Sequence, residues 1–500
     1  MRCGSLLWLL VAACNGAGLG DRCSTTDDCS VTLQCVSNVC RARCERAPDC
    51  GDGYSCDANG ICHEANGNAG DACTSEVDCD VGYACELSGD VGDRGVLAAT
   101  CVQVGAGHPA GAMCDVDTDC RNRTCALGRC VDLCTATRDC GVGMSCTQIP
   151  RVEANGALFS GCLQSAGSLA WTIPVHGSSD TLKLPVPALA RSIAVTMHID
   201  DPNQMVGVTH LTAPDGTKLL DSADGFFMDP VRHQPGFGQS VLALPSSPDT
   251  LLVPDTNTLV PGAYTMSVRS LKPPFDASSI GTATPTVTAV VKLDSSVILD
   301  LHFYFLNFED HPCVAKFGNT ATLTAATAAA QPFFQNDFLA SMRSIFSSGG
   351  VALGTLTYED LLDSPDLDGL DIANAGELLS LGTHPVGVNV FFVRSISPGG
   401  LQAYGPNPGP AGLPRTAQSG VIVALDSLCY REWKDVARVT AHEVARYMGL
   451  YDNVEIDPSQ TDPISDSDTS SSNLMFYSEL GGISLSSGQR EILSRSPVLR

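Results

Sequence analysis

Residues 166–283 consist of short segments in which apolar and polar side chains alternate. β-Branched residues are frequent within them, and Pro, Gly, Asp and Asn separate one segment from the next. Because a period of two buries one face of each strand, this pattern predicts an antiparallel β-sandwich. The predicted strands are Trp171–Val175, Thr181–Leu184, Ser192–Ile199, Val206–Leu211 and Gly262–Val268.

Residues 284–500 alternate between strand-like and helix-like patterns. Continuous apolar runs predict buried strands, whereas apolar residues three and four positions apart predict helices. The alternation therefore predicts a parallel-rich sheet with packed helices, which is an α/β or α+β domain. The predicted strands are Ser296–Leu306, Val351–Thr357, Val386–Val393 and Gly420–Leu425, and the predicted helices are Gln331–Phe346 and Tyr430–Met448.

Cysteine dominates residues 23–165, which hold 20 of the 24 cysteines of the chain. Such density predicts export to an oxidising compartment and a disulfide framework in place of an apolar core. Zinc binding is the alternative role for clustered cysteines, but C-x2-C pairs are absent. Spacing alone does not fix which cysteines pair. Five units of four cysteines each open with C-x5-C, with an aspartate before the second cysteine, and begin at Cys23, Cys44, Cys73, Cys114 and Cys134.

The cysteine-rich region and the predicted sandwich resemble parts of known secreted proteins. The cysteine units resemble Dickkopf-type and related cysteine-rich repeats, which implies a stalk or a protein-binding module without catalysis. The sandwich pattern resembles the jelly-roll modules attached to many secreted peptidases. We therefore expect a multidomain exported protein with an unknown protein or peptide ligand.

The first residues indicate how the chain is exported. The apolar run Leu6–Ala13 has eight residues, too few to span a bilayer. It ends in Val11-Ala12-Ala13-Cys14, which resembles a bacterial lipobox. That resemblance implies a signal peptide at 1–13, a lipidated Cys14, a flexible tether at 14–22 and attachment to a membrane of the cell envelope. An ordinary signal peptide ending in a chance cysteine is the alternative.

The composition of the chain argues against some classes of binding partner. The net charge of −26 argues against nucleic acid and against an anionic membrane surface, because phosphate contacts need lysine and arginine. Loss of Cys3 with the signal and lipidation of Cys14 would leave 24 − 2 = 22 cysteines, which can all pair. We expect Cys313 and Cys429, the two beyond the repeats, to form a disulfide.

Candidate chemistry lies on the last predicted helix, where the chain reads H-E-x-x-R-x-x-G-x-x-D from His442 to Asp452. In the H-E-x-x-H pattern, two histidines four apart on one helical face bind zinc and the glutamate activates water. Here Arg446 occupies the place of the second histidine. A guanidinium has no lone pair for a metal and keeps its proton.

The arrangement resembles the metzincin clan of zinc endopeptidases over roughly 200 residues. Gly449 and Asp452 match the clan's glycine and third-ligand positions, and Asn473-Leu-Met475-Phe-Tyr477 falls where its Met-turn lies. The resemblance implies zinc as cofactor, Glu443 as general base, Met475 beneath the metal, and metal ligands at His442, Asp452 and Tyr477.

Arg446 leaves three hypotheses open. In the first, Arg446 pairs with Asp452 or Glu443, the zinc site is lost, and the protein binds a ligand without hydrolysing it. In the second, Arg446 swings outward and an active zinc endopeptidase uses the remaining His/Asp/Tyr ligands. In the third, the chain is a structural surface protein whose C-terminal domain is a spacer. A chance motif in an unrelated fold is a further alternative for the site.

The acidic segment DSPDLDGLD is a second candidate cation site. Its carboxylates suit Ca²⁺, but the segment lacks the last-position glutamate of an EF-hand, which favours a solvated loop. The carboxylates belong to Asp363, Asp366, Asp368 and Asp371.

Overall fold

The described residues of this computed structural model divide into two compact units, one within residues 22–147 and 158–164 and the other within residues 148–157 and 165–500. The predicted signal peptide, the lipidated Cys14 and all but the last residue of the predicted tether lie outside the described residues. The structure describes 22–500 except 31, 37–38, 46, 51–53, 57–60, 65–66, 68, 81, 92–96, 222–232, 234, 250–251, 277, 307, 309–310, 319, 321, 364, 407, 411–412 and 479.

Every cysteine unit has the same local architecture, a 3-10 turn between its first two cysteines followed by a two-stranded antiparallel hairpin. The turns are Thr26–Asp28, Ala47–Cys50, Glu76–Asp78, Asp117–Asp119 and Thr137–Asp139. The hairpins are Leu33–Val36 with Val39–Ala42, Tyr54–Cys56 with Cys62–Glu64, Tyr83–Val91 with Leu97–Gln103, Cys125–Ala126 with Arg129–Cys130, and Met144–Arg151 with Ala157–Gln164.

The disulfides follow one connectivity, which the spacing alone left open. First and third cysteines pair in Cys23–Cys35, Cys73–Cys85, Cys114–Cys125 and Cys134–Cys146. Second and fourth cysteines pair in Cys29–Cys40, Cys50–Cys62, Cys79–Cys101, Cys120–Cys130 and Cys140–Cys162. So many disulfides indicate an extracellular or otherwise oxidising compartment.

The aspartate before each second cysteine has a structural role. Oδ2 of Asp139 accepts hydrogen bonds from the backbone N–H groups of Thr135 at 2.7 Å and Ala136 at 2.9 Å. These donors precede the 3-10 turn, so the carboxylate closes the turn on itself as a helix cap does. Equivalent bonds are made by Asp28, Asp78 and Asp119.

Residues 168–292, the antiparallel region, form two larger antiparallel sheets and one separate two-stranded sheet. Their strands are β1 Ser168–Ile173, β2 Ser179–Val186, β3 Ser192–His198, β4 Met205–Thr212, β5 Lys218–Asp221, β6 Gly236–Phe237, β7 Gln239–Leu244, β8 Leu252–Val253, β9 Thr258–Leu259, β10 Gly262–Leu271 and β11 Thr286–Lys292. The first larger sheet has the order β1-β11-β3-β7, and the other has the order β2-β10-β4-β5 with β6 also on β4. Strands β8 and β9 form the separate two-stranded sheet. Strand β11, which follows residue 283, belongs to the first sheet.

Residues 298–500, the α/β region, contain one mixed five-stranded sheet. Its strands are β12 Ile298–Phe305, β13 Ala352–Asp360, β15 Val388–Val393, β17 Ala403–Tyr404 and β18 Val421–Ala424, and a small parallel pair is formed by β14 Gly369–Asp371 and β16 Ser395–Ser397. The order is β13-β12-β15-β18-β17, and only the β17–β18 pair is antiparallel. The predicted parallel-rich sheet with helices is therefore present.

Helices cover this sheet. They are α1 Ala325–Ala330, α2 Ala340–Ser348, α3 Ala375–Leu379, α4 Trp433–Tyr447 and α5 Ser487–Ser494, with a π-helical turn at Phe333–Leu339 and 3-10 turns at Val314–Phe317, Pro365–Leu367, Ile372–Asn374 and Leu425–Cys429. Strand β12 alternates its side chains between two cores, so Phe303 packs with α2 and α4 whereas Tyr304 packs with α3. Among the described residues, no helix is long and apolar enough to cross a membrane.

Candidate functional site

Helix α4 positions three of the predicted site residues. His442 and Arg446 are four residues apart and share one face of the helix, and Glu443 lies beside them. His442 and Glu443 are buried, since apolar residues of α4 pack into the main core around them. The helix ends at Tyr447, and Gly449 follows with φ of +113°, a conformation that glycine adopts without strain.

The guanidinium of Arg446 lies between two carboxylates. Its Nη1 atom is 3.6 Å from Oε2 of Glu443, and its Nε atom is 3.8 Å from Oδ1 of Asp452. These are ion-pair distances rather than hydrogen-bond distances. The Arg446 side chain is 24% exposed, and this one cation balances two largely buried acids.

The imidazole of His442 has a fixed orientation. Its Nδ1–H donates to the backbone carbonyl of Leu474 at 2.9 Å, which leaves Nε2 without a proton, 3.4 Å from Oδ1 of Asp452. Burial lowers the pKa of His442 to about 3, and the nearby cation of Arg446 adds to this effect. His442 is therefore neutral at physiological pH.

Both acids of the cluster are hard to ionise. Burial raises the pKa of Glu443 to about 7 and that of Asp452 to about 6, and Arg446 limits both increases. Burial also opposes the charge of Arg446, but Glu443 and Asp452 outweigh it and raise the Arg446 pKa. The cluster thus has a permanent cation between acids that titrate near neutrality.

His442, Glu443 and Arg446 of this cluster form part of the floor of a cleft of about 510 Å³. Strand β17 with its flanking residues and part of the antiparallel region also line the cleft. The side chain of Tyr477 lines the same cleft and is 44% exposed. The remaining lining includes Pro235, Gly236, Val241, residues 400–406, Gln418, Arg438, Val439 and Ser478.

Arg438 is a site residue that sequence reasoning missed. Its guanidinium donates to the backbone carbonyls of Leu474 at 3.1 Å, Phe476 at 3.4 Å, Ser478 at 3.1 Å and Gly482 at 3.2 Å. This buried cation therefore holds the loop that carries Tyr477 against α4. The available signal was a charged residue four positions before His442, on the same helical face.

Met475 lies within that loop and is fully buried in the main core. Its backbone carbonyl accepts a hydrogen bond from the N–H of Asn453 at 2.9 Å, which ties the loop to the residue after Asp452. The backbone carbonyl of the preceding residue, Leu474, accepts hydrogen bonds from both His442 and Arg438. The structure thus brings the residues of the predicted Met-turn against the predicted ligands.

A zinc ion does not fit the side chains as they are placed. The donor Oδ1 of Asp452 already faces the Nε–H of Arg446, and a divalent cation beside a guanidinium is repelled. In the described part of the chain, the groups of three or more potential ligand residues with converging atoms are cysteines of the disulfide framework.

The other candidates are engaged elsewhere. Asp368 of the acidic segment pairs with Arg394 at 2.7 Å, and Asp371 accepts from the N–H of Ala373 at 2.9 Å, so these two carboxylates serve the fold. Cys313 and Cys429 form a disulfide that closes a loop with a sequence separation of 116 residues. It links the segment after β12 to the turn before α4.

Comparisons with known proteins assign no family to the chain. No family model matches it, and no curated protein matches it. Among solved structures, it is similar to a structure of infectious bursal disease virus Gx strain (11% identity, TM-score 0.14, 30% of this chain and 38% of that one). It is also similar to a family two carbohydrate esterase from Cellvibrio japonicus (9% identity, TM-score 0.11, 60% of this chain and 86% of that one). TM-scores this low carry no argument about fold or function.

Proposed function

We propose that the chain is an exported, lipid-anchored protein of the bacterial cell envelope that binds a protein or peptide without hydrolysing it. Its α/β region is metzincin-like, its antiparallel region is a jelly-roll-like sandwich, and Cys14 carries the anchor. The observation that carries the proposal is the position of Arg446, 3.6 Å from Glu443 and 3.8 Å from Asp452.

Charge balance is the physical basis of this proposal. In a zinc peptidase, the metal offsets the acids of the helix and of the third-ligand position. A guanidinium at the same place offsets them permanently, because it keeps its proton and offers no lone pair. The substitution therefore stabilises the buried carboxylates while it removes both the ligand and the room for a metal.

Two surfaces support a binding role. The cleft of about 510 Å³ retains a polar floor and an exposed Tyr477, a residue type that contributes strongly to interfaces. The cysteine-rich region supplies a second, disulfide-stiffened module of a kind that serves recognition in secreted proteins. The net charge of −26 makes nucleic acid an unsuitable ligand for either surface.

One observation favours a second candidate function, an active zinc endopeptidase. Nε2 of His442 is unprotonated and faces Asp452 at 3.4 Å, which is the ligand-ready state of a histidine. In this alternative, Arg446 leaves the cluster, His442, Asp452 and Tyr477 bind zinc, and Glu443 is the general base.

The zinc content and the peptidase activity of the full-length protein separate the two functions. After incubation with excess zinc and desalting, we expect much less than one zinc per chain by atomic emission. We also expect no cleavage of an unfolded protein substrate above that of the Glu443→Ala variant. One retained zinc per chain together with cleavage that Glu443→Ala abolishes would establish the peptidase instead.

A further inference from the structure

The cleft is lined by residues of two regions that the sequence presents as separate domains, and the lining from each region is here called a wall. Gly236 and Val241 belong to the antiparallel region, whereas Val439 and Glu443 lie on α4 of the α/β region. Val241 is also part of the main core of the α/β region. The width of the cleft therefore depends on how firmly β7 is held against α4.

The same two elements meet again at the far end of α4. Ala243 and Leu244, the last residues of β7, line a small cavity together with Met448 and Gly449. Arg495 lines this cavity as well. Residues of β7 therefore line both the cleft and the cavity beside the segment that begins at Arg495, here called the strap (residues 495–500).

Arg495 joins the strap to the antiparallel region. Its side chain is 1% exposed, and Nη1 donates to the backbone carbonyls of Arg191 and Asn257, each at 3.0 Å. Nη2 donates to the side-chain oxygen of Asn257 and to Oε1 of Glu491 at 2.7 Å. The backbone carbonyl of Arg495 accepts from the hydroxyl of Ser192, the first residue of β3.

A second buried cation adds to this junction. Lys292, the last residue of β11, has a fully buried side chain whose Nζ donates to the carbonyl of Leu499 at 2.8 Å and pairs with Asp294 at 3.2 Å. The hydroxyl of Ser168 donates to the carbonyl of Pro497 at 3.1 Å. Three of the four strands of the first sheet, β1, β3 and β11, thus contact the strap directly.

The strap also contacts the α/β region. Arg500 exchanges two backbone hydrogen bonds with Ile298, the first residue of β12, at 3.0 and 3.1 Å. The carbonyl of Val498 accepts from the N–H of Gly387 at 3.3 Å, just before β15. Val498 and Leu499 are buried in the main core.

We propose that the strap fixes the two walls of the cleft relative to each other, with Arg495 and Lys292 as positioning residues. Each buried cation donates to backbone carbonyls across the junction, and such charged hydrogen bonds are costly to break without replacement. The first sheet and α4 therefore move as one body, and the cleft is preformed. This inference concerns the cleft itself and holds whichever function occupies it.

Hydrogen–deuterium exchange on the full-length protein tests the strap. In Arg495→Met, we expect the amides of residues 239–244 to exchange about tenfold faster than in the wild type. Residues 205–212, in the other sheet, should change less than about twofold. The matched control is Arg490→Met, at an exposed position of α5, which should leave both segments unchanged.

A milder variant protects the test against misfolding. Asn257→Gly removes one acceptor of Arg495 and suits the φ of +52° at this position, so folding should be preserved. We expect about threefold faster exchange at 239–244, with 205–212 unchanged. If 239–244 keeps its wild-type rate in both variants, or if all segments accelerate together, the strap does not position the cleft.

Discussion

Arg446 and Asp452 form an ion pair across the end of α4, with 3.8 Å between Nε and Oδ1. They occupy the second-ligand and third-ligand positions of the metzincin-like pattern. A cation and an anion face each other where that pattern places two zinc ligands. In our proposal, the zinc site has been lost and this ion pair has replaced it.

Removal of the Arg446 charge should destabilise the fold. Arg446→Met keeps much of the side-chain volume but leaves Glu443 and Asp452 without their cation. Breaking a buried pair from one side typically costs about 3 kcal/mol. We expect the free energy of unfolding in urea to fall by that order, and Arg446→Lys to lose less. An unchanged midpoint for Arg446→Met would show that the ion pairs contribute nothing.

Removal of the Arg438 charge should destabilise the loop that carries Tyr477 by a similar amount. Arg438→Met leaves the carbonyls of Leu474, Ser478 and Gly482 without this donor, which should cost about 3 kcal/mol. Limited proteolysis should then cut within residues 474–482. Lys434→Met, an exposed change on the same helix, is the control. Equal protease resistance in the two variants would refute the loop-holding role.

The repeated aspartates should act as individual turn caps. Asp139→Ala removes the acceptor for Thr135 and Ala136, and a lost cap costs about 1 kcal/mol. We expect faster reduction of Cys134–Cys146 by dithiothreitol, followed by mass spectrometry of alkylated peptides. Asp115→Ala, at an exposed position of the preceding unit, should leave that rate unchanged.

Glu76 should make the cysteine-rich region sensitive to pH. Burial, and then the nearby carboxylate of Asp132, raise its pKa from 4.5 to about 8. Because the folded state holds this proton more tightly than the unfolded chain does, stability falls as pH rises from 4.5 through about 8. Glu76→Gln should therefore gain stability over the wild type as pH rises.

The size of that gain can be measured by thermal unfolding between pH 4 and 9. A single pKa unit corresponds to about 1.4 kcal/mol, so the gain should exceed about 1 kcal/mol at the alkaline end and vanish at the acid end. Glu86→Gln, where the side chain pairs with Arg123 at 3.7 Å, serves as the control. Parallel curves for Glu76→Gln and wild type would contradict the prediction.

Local patterns in the sequence were enough to predict the three kinds of region in the chain. These are the cysteine-rich region, the antiparallel region and the α/β region. The predicted strand Ser192–Ile199 is observed as Ser192–His198, and the predicted helix Tyr430–Met448 as Trp433–Tyr447 after a 3-10 turn. Periodicity succeeds here because each segment buries one face or one stripe. The pairing of Arg446 with its acids was also predicted from the spacing of the motif.

Long-range contacts were beyond such patterns. The four carbonyls that surround Arg438 come from residues at least 36 positions away, and Arg495 reaches Arg191 across 304 positions. Neither arginine has a local sequence signature, so the cleft loop and the strap went unpredicted. For the same reason, the contacts that join the antiparallel region to the α/β region within one compact unit were not predicted.

Zinc titration of the wild type beside Arg446→His tests the central claim most directly. Isothermal calorimetry at pH 7.5 should detect no zinc binding to the wild type or to Arg446→Lys, since both carry a cation at this position. Arg446→His should bind one zinc per chain, because it supplies the missing ligand and removes the charge. Binding of one zinc by the wild type as tightly as by Arg446→His would contradict the account.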